Sequence, residues 1–196
     1  MVYNNIEELI GKTPLLKLNR LFPHHNVYCK LEYMNPSGSF KDRVALQIFL
    51  NAEKKGLLPH GCKLVEVSSG NTAISIAMLA KMRGYQSVFY IPASASEERK
   101  ALLKFLGAEV IETSDMKEAL TKVKELHKSG TAFWFQQFTN EQNTLAHYEN
   151  TALEIWETLA GKVDYFVWGA GTGGALMGVH KLMKERNPNF KCIRVD

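Results

Sequence analysis

No long apolar run occurs in this chain of 196 residues. The longest nearly uncharged stretch, Tyr165 to Val179, is interrupted by five glycines and is too short to cross a bilayer, so no membrane partner is expected. Cysteine is scarce as well. Cys29, Cys62 and Cys192 lie far apart and none stands at a metal-ligand spacing, which argues against a disulfide framework and against zinc. They are expected to be core thiols. The six histidines (His24, His25, His60, His127, His147, His180) include no H-x-x-x-H pair and read as structural or surface residues, so no metal is expected. Charge of one sign is not concentrated either. The 24 basic and 20 acidic side chains leave a net charge of +4 and are scattered, which excludes the footprint of a nucleic-acid binder. Residues Met1 to Glu8 have neither the basic nor the apolar region of a signal peptide, and a cytoplasmic location is expected.

What the chain does have is 45% hydrophobic content, ample for a packed core, laid out in a regular order. A short helical start at Ile6 to Ile10 and a probable strand at Leu15 to Leu18 precede a half-buried strand at Val27 to Leu31. Apolar residues at Val44, Ala45, Ile48, Phe49 and Ala52 then recur at helical spacing, and that helix ends at Gly56. After Pro59 the pattern predicts strands at 63–67, 87–91, 109–111, 131–135, 165–168 and 190–195. Helices at 71–82, 96–106, 116–127, 145–159 and 175–186 alternate with them. Strands alternating with helices of this length imply parallel pairing with helices on both faces: an α/β protein.

In such sheets ligands bind beyond the carboxyl ends of the strands, where loops enter helix N-termini, and this rule selects three loops. The first is Asn35-Pro36-Ser37-Gly38-Ser39-Phe40-Lys41-Asp42-Arg43, which puts Lys41 in the first turn of a helix. Helix N-termini favour anions, so the charged form of a lysine is disfavoured there, and the free amine is the form that acts as nucleophile or forms a Schiff base. A solvated lysine following an N-cap Ser39 is the plain alternative. The second loop, Val67-Ser68-Ser69-Gly70-Asn71-Thr72, offers hydroxyls, an amide and helix-start N–H groups suited to a carboxylate or a ring hydroxyl. Ordinary N-capping by Ser69 or Asn71 would also explain it. The third, Trp168-Gly169-Ala170-Gly171-Thr172-Gly173-Gly174, has the composition of a phosphate cradle, although tight packing is another use of glycine. Gly169, Gly171 and Gly174 also fit G-x-G-x-x-G, with Asp196 placed as a ribose-binding acid, so a dinucleotide site is an alternative. Its position as the last βαβ unit of the chain disfavours that reading.

Five motifs in order carry a resemblance: Ile10-Gly11-Lys12-Thr13-Pro14-Leu15, the Asn35 to Arg43 stretch, Ser69-Gly70-Asn71-Thr72, Gln136-Gln137-Phe138 and Gly171-Thr172-Gly173-Gly174. Over essentially all 196 residues the chain resembles the cysteine synthases (O-acetylserine sulfhydrylases), pyridoxal 5'-phosphate enzymes of the tryptophan-synthase-β-like fold. Ala146-His147-Tyr148 is more like the B-type isoenzyme. The resemblance implies that Lys41 holds the cofactor covalently and is the catalytic residue. It implies that Asn71 bonds the cofactor's ring oxygen and that Gly171, Thr172, Gly173 and Gly174 bind its phosphate. Ser68, where most relatives have threonine, would grip the amino acid's carboxylate together with Ser69, Thr72 and Gln137. O-acetylserine displaces Lys41, the freed amine removes the α-proton, acetate leaves and sulfide adds.

The same resemblance implies a homodimer and two α/β domains with parallel sheets, the cofactor lying between them. Residues 1–40 would begin the larger domain, 41–142 would form the smaller, and 143–196 would return to the larger. Relatives continue beyond Asp196, so the chain resembles a C-terminally incomplete member, with an unpaired edge and an uncovered apolar face expected there. Several residues depart from the family pattern. Ala73 stands where glycine is usual, Ala175 replaces a phosphate-binding threonine, and Glu141, Thr144, Ala152 and Leu153 interrupt the usual proline/glycine pattern. Three further readings stay open: a related lyase such as cystathionine β-synthase or a serine/threonine dehydratase, a non-catalytic homologue, and the dinucleotide-binding domain.

Overall fold

The computed structural model describes residues 2–59 and 61–195. His60 and Asp196, and with them the proposed ribose-binding acid, lie outside the described residues. The chain divides into two compact units, one formed by Met1–Val44 with Glu141–Asp196 and the other by Ala45–Asn140.

The first unit opens with a 3-10 turn, Ile6–Leu9, capped by Asn5, whose side chain accepts the N–H groups of Glu7 and Glu8. Strands β1 (Leu15–Lys17) and β2 (Tyr28–Lys30) pair antiparallel. The connection between these strands is too short for the crossover that a parallel pair needs. Helix α1 (Lys41–Lys54) starts at the expected lysine and runs on into the second unit.

The second unit holds the regular part of the pattern. Strands β3 (Lys63–Glu66), β4 (Gln86–Pro92), β5 (Glu109–Thr113) and β6 (Ala132–Trp134) form an all-parallel sheet in the order β5-β4-β3-β6. Helices α2 (Asn71–Arg83), α3 (Glu97–Phe105) and α4 (Met116–Lys128) are the crossovers. One core cluster gathers Val65, Val67 and Val88 of the sheet with Ala119 and Val123 of α4.

In the remainder of the first unit the sequence predicts one plain helix over 145–159. The structure has helix from Gln142 to Thr158 in three parts: α5 (Gln142–Ala146), a π-helical segment (His147–Ala152) and α6 (Leu153–Thr158). Strand β7 (Tyr165–Gly169), helix α7 (Gly174–Arg186) and strand β8 (Lys191–Val195) follow, with β7 and β8 parallel. Side chains alternate across a strand, so one face of this pair buries Phe166 against Val179, Leu182, Met183 and Phe190, while Tyr165, Val167, Ile193 and Val195 on the other face are exposed.

The cysteines are not core thiols. Cys29 is exposed on β2, and Cys62 and Cys192 are half-buried. Burial against the first unit's core pushes the Cys192 thiol up from its ordinary value. Among the described residues no helix is long and apolar enough to cross a membrane.

Candidate active site

Lys41 is the first residue of α1, and its backbone N–H donates to the Ser39 hydroxyl at 3.2 Å. The turn before it is held from inside. Asp42 is fully buried and accepts the Ser37 N–H at 2.7 Å and the Ser37 hydroxyl, while the Gly38 N–H donates to the Asn35 carbonyl at 2.8 Å. Asn35 ties this turn back to the N-terminal motif: its Oδ1 accepts the Gly11 N–H at 2.8 Å and its Nδ2 donates to Glu32.

Beneath the turn lies a buried ionic cluster of two cations and two carboxylates. The Arg43 guanidinium is bidentate to Glu32, at 2.8 and 2.9 Å, and also to Glu154, at 2.6 and 2.8 Å. Lys30 adds a bond to Glu154 at 2.6 Å and another to the Thr13 hydroxyl at 2.6 Å. Charges taken out of water must be paired and fully hydrogen-bonded, and here they are. Burial alone would raise the Glu154 carboxyl, but Arg43 and Lys30 hold it down at about 2. The cluster also explains the Gly11-Lys12-Thr13-Pro14 motif. The Lys12 N–H donates to Glu154 at 2.9 Å, and a Cβ on Gly11 would lie 2.9 Å from Arg43 Nη1. No local pattern in the sequence points to Glu32 or Glu154, because each is brought to Arg43 by the fold.

The Lys41 side chain is not a freely solvated one. Its Nζ lies 3.4 Å from Thr172 Oγ1 and 5.0 Å from the centre of the Phe40 ring. Thr172 belongs to the loop between β7 and α7, and its hydroxyl also accepts from Asn143 Nδ2 at 2.8 Å. Phe40 packs edge-on against Trp168 at 5.2 Å and lies 5.5 Å from the His147 ring. The tight-packing reading of the glycine loop holds at Gly174 alone, where a Cβ would clash with the Asn143 side chain; a Cβ at Gly169, Gly171 or Gly173 would meet nothing within 4 Å. Gly173 is the N-cap of α7 at φ +82°, a left-handed conformation that glycine adopts without strain, and no side chain caps this helix. Open backbone N–H groups at a helix start, a hydroxyl and a nearby amine form a donor set that fits a phosphate next to a lysine-bound group. Phe40, Trp168 and Ala175 line a small, half-open pocket together with the loop itself.

In the second unit the loop after β3 leads into α2. Gly70 is the N-cap and no side chain caps the helix, so N-capping does not account for Ser69 or Asn71. Ser68 Oγ instead accepts the Gly70 N–H at 3.3 Å. Thr72 is buried and donates its hydroxyl to Gln137 Oε1 at 2.6 Å, which brings together two residues far apart in the sequence. Asn71 is exposed at the mouth of the loop. Ala73, behind it, is fully buried.

Residues 6–196 match the family of pyridoxal-phosphate dependent enzymes, and the chain belongs to it. It is 43% identical over 200 residues to cystathionine β-synthase of Apis mellifera, covering 95% of this chain and 39% of that protein. It is 41% identical to cysteine synthase of a Flavobacterium species, covering 100% of this chain and 66% of the relative. Among solved structures, a hydrogen sulfide-producing enzyme of Fusobacterium nucleatum superposes with a TM-score of 0.91 at 40% identity, over 100% of this chain and 66% of that one. The chain thus spans 39% to 66% of the length of these relatives.

Proposed function

We propose that Lys41 carries pyridoxal 5'-phosphate and that the chain belongs to a β-replacement enzyme forming L-cysteine from O-acetylserine and sulfide. The observation that carries this reading is the 3.4 Å approach of the Lys41 amine to Thr172 in the open glycine loop. When bound, the cofactor supplies an electron sink for carbanion chemistry at the amino acid's α-carbon. The chain's residues divide the remaining work. Gly171, Thr172, Gly173 and Gly174 would receive the phosphate on backbone N–H groups and one hydroxyl, and Asn71 would bond the ring oxygen. Ser68, Ser69, Thr72 and Gln137 take the substrate carboxylate, which competes for the hydrogen that Thr72 gives to Gln137. Lys41 Nζ would hold the cofactor and, as a free amine, would take the α-proton, so one residue would serve as both anchor and base. Sulfide as nucleophile, a homodimer and a cytoplasmic setting complete the reading, on the strength of the family resemblance. The two units serve as its two domains.

The cystathionine β-synthase relative supports a second reading in which the same site uses another activated serine or another nucleophile. Visible spectroscopy of the chain with added pyridoxal phosphate, followed by borohydride reduction and peptide mapping, tests the shared part of both. The expected result is a cofactor band trapped on Lys41 and lost in Lys41→Ala. A folded wild-type chain that develops no band, or traps the cofactor elsewhere, overturns the assignment. Assay with O-acetylserine and sulfide then separates the two readings.

A further inference from the structure

Glu66 ends β3 and is 3% exposed, directly before the loop assigned to the substrate carboxylate. A carboxylate this deep is costly unless its lone pairs are satisfied. Oε1 accepts the Val67 N–H at 2.8 Å and the Trp134 indole N–H at 3.0 Å, and Oε2 accepts the Gln137 N–H at 3.2 Å. The Gln136 backbone N–H donates to the same carboxylate. Burial raises the carboxyl above its ordinary value against the opposing pull of the four N–H donors.

These donors come from two separate segments. Val67 opens the loop that leads to Ser68, Ser69, Asn71 and Thr72, while Gln136 and Gln137 form the turn leaving β6. Gln136 has φ +53°, a left-handed conformation that is strained for a side chain other than glycine or asparagine. Such a turn aims successive N–H groups at one point, making a concave anion nest. Here the acceptor that fills the nest is the protein's own Glu66 carboxyl. Above it, Thr72 and Gln137 meet at 2.6 Å.

We infer that Glu66 is a positioning residue that clamps the Val67–Thr72 loop and the Gln136–Gln137 turn in one register, so that Thr72 and Gln137 stand preset for a ligand carboxylate. The inference rests on the reading of that pair as the carboxylate site. Presetting removes an ordering cost from binding, so its loss weakens the grip on the amino acid and leaves the chemical step nearly unchanged. Glu66→Gln keeps the volume and one acceptor oxygen but turns an NH₂ group toward the Gln136 and Gln137 donors. In the pyridoxal-phosphate-loaded chain it is expected to raise KM for O-acetylserine about tenfold or more with kcat changed less than about threefold, the scale of losing hydrogen bonds to a charged group. Trp134→Phe leaves the backbone donors in place and should keep KM within about threefold. An unchanged KM in Glu66→Gln overturns the clamp, as does an equal rise in Trp134→Phe, which would point to packing alone.

Hydrogen exchange on the wild-type chain decides the matter if Glu66→Gln does not fold. The Val67, Gln136 and Gln137 amides should be protected before any amino acid is added. Rapid exchange that slows only with O-acetylserine overturns the clamp. A wild-type chain that binds the cofactor yet never responds to O-acetylserine refutes the cysteine-forming reading instead, and amide protection remains the measure of the clamp.

Discussion

Ala175 lines the small pocket at the glycine loop and is buried. A threonine there would add a hydroxyl at the first turn of α7, beside the N–H groups proposed to hold phosphate. One added hydrogen bond contributes about 0.5–1.5 kcal/mol, so Ala175→Thr should tighten pyridoxal phosphate by roughly twofold to tenfold, read by equilibrium titration of the cofactor band. The tightness of this small pocket sets the competing effect. If the larger side chain overpacks it, thermal stability falls while affinity does not rise.

At the scale of elements, the turn that presents Lys41 depends on segments remote from it in the sequence: the N-terminal stretch through Gly11 and Thr13, β2 through Lys30, and α6 through Glu154. Removing one carboxylate from the cluster leaves buried cations with a single counter-ion. Glu154→Ala is therefore expected to cost about 3–5 kcal/mol in urea unfolding, and Glu154→Gln less, since it keeps one acceptor. Because Arg43 follows Lys41 by two residues on α1, cofactor affinity should fall in parallel with stability. Full affinity in a destabilised Glu154→Ala would show that the cluster is structural only. The π-helical segment belongs to this scale as well. It buries His147, whose Nδ1 lies 3.0 Å from Thr151 Oγ1, behind the Phe40 ring, whereas the sequence pattern suggests an uninterrupted α-helix.

For the molecule as a whole, acid stability should show two windows. Burial, then the nearby Arg43 and Lys41 charges against the opposing Glu32, lower His147 from an ordinary 6.5 to about 3. The unfolded chain therefore takes up a proton first as pH falls, and between pH 6.5 and 3 stability drops with decreasing pH by up to about 1.4 kcal/mol per unit. Glu154, held at about 2 against an ordinary 4.5, contributes stability that is complete above pH 4.5 and is lost as pH falls toward 2. Urea midpoints across pH 7 to 4 in wild type and His147→Gln test the first window. The variant should lose the part of the slope that His147 contributes, and an equal slope in both would assign it to other groups.

The alternation of strands and helices, the start of α1 at Lys41, and the glycine loop ahead of α7 were all legible locally, because helical spacing, turn residues and strand alternation are short-range signals. The parallel order β5-β4-β3-β6 is consistent with that pattern, since strands joined by helical crossovers pair in parallel. The same signals misjudged the cysteines and the π-helical segment and were silent on the antiparallel β1–β2 pairing, because burial and geometry there depend on neighbours from elsewhere in the chain. Nothing local marks Glu66, Glu32, Glu154 or Asn143 either. Each gains its partners only when segments separated in sequence are folded together, and a buried charge has no stable place until those partners surround it. Local pattern thus decided which loops could hold a ligand. The tertiary structure alone decided that Lys41 reaches Thr172 and that Thr72 reaches Gln137, because those distances come from long-range packing and not from spacing along the chain.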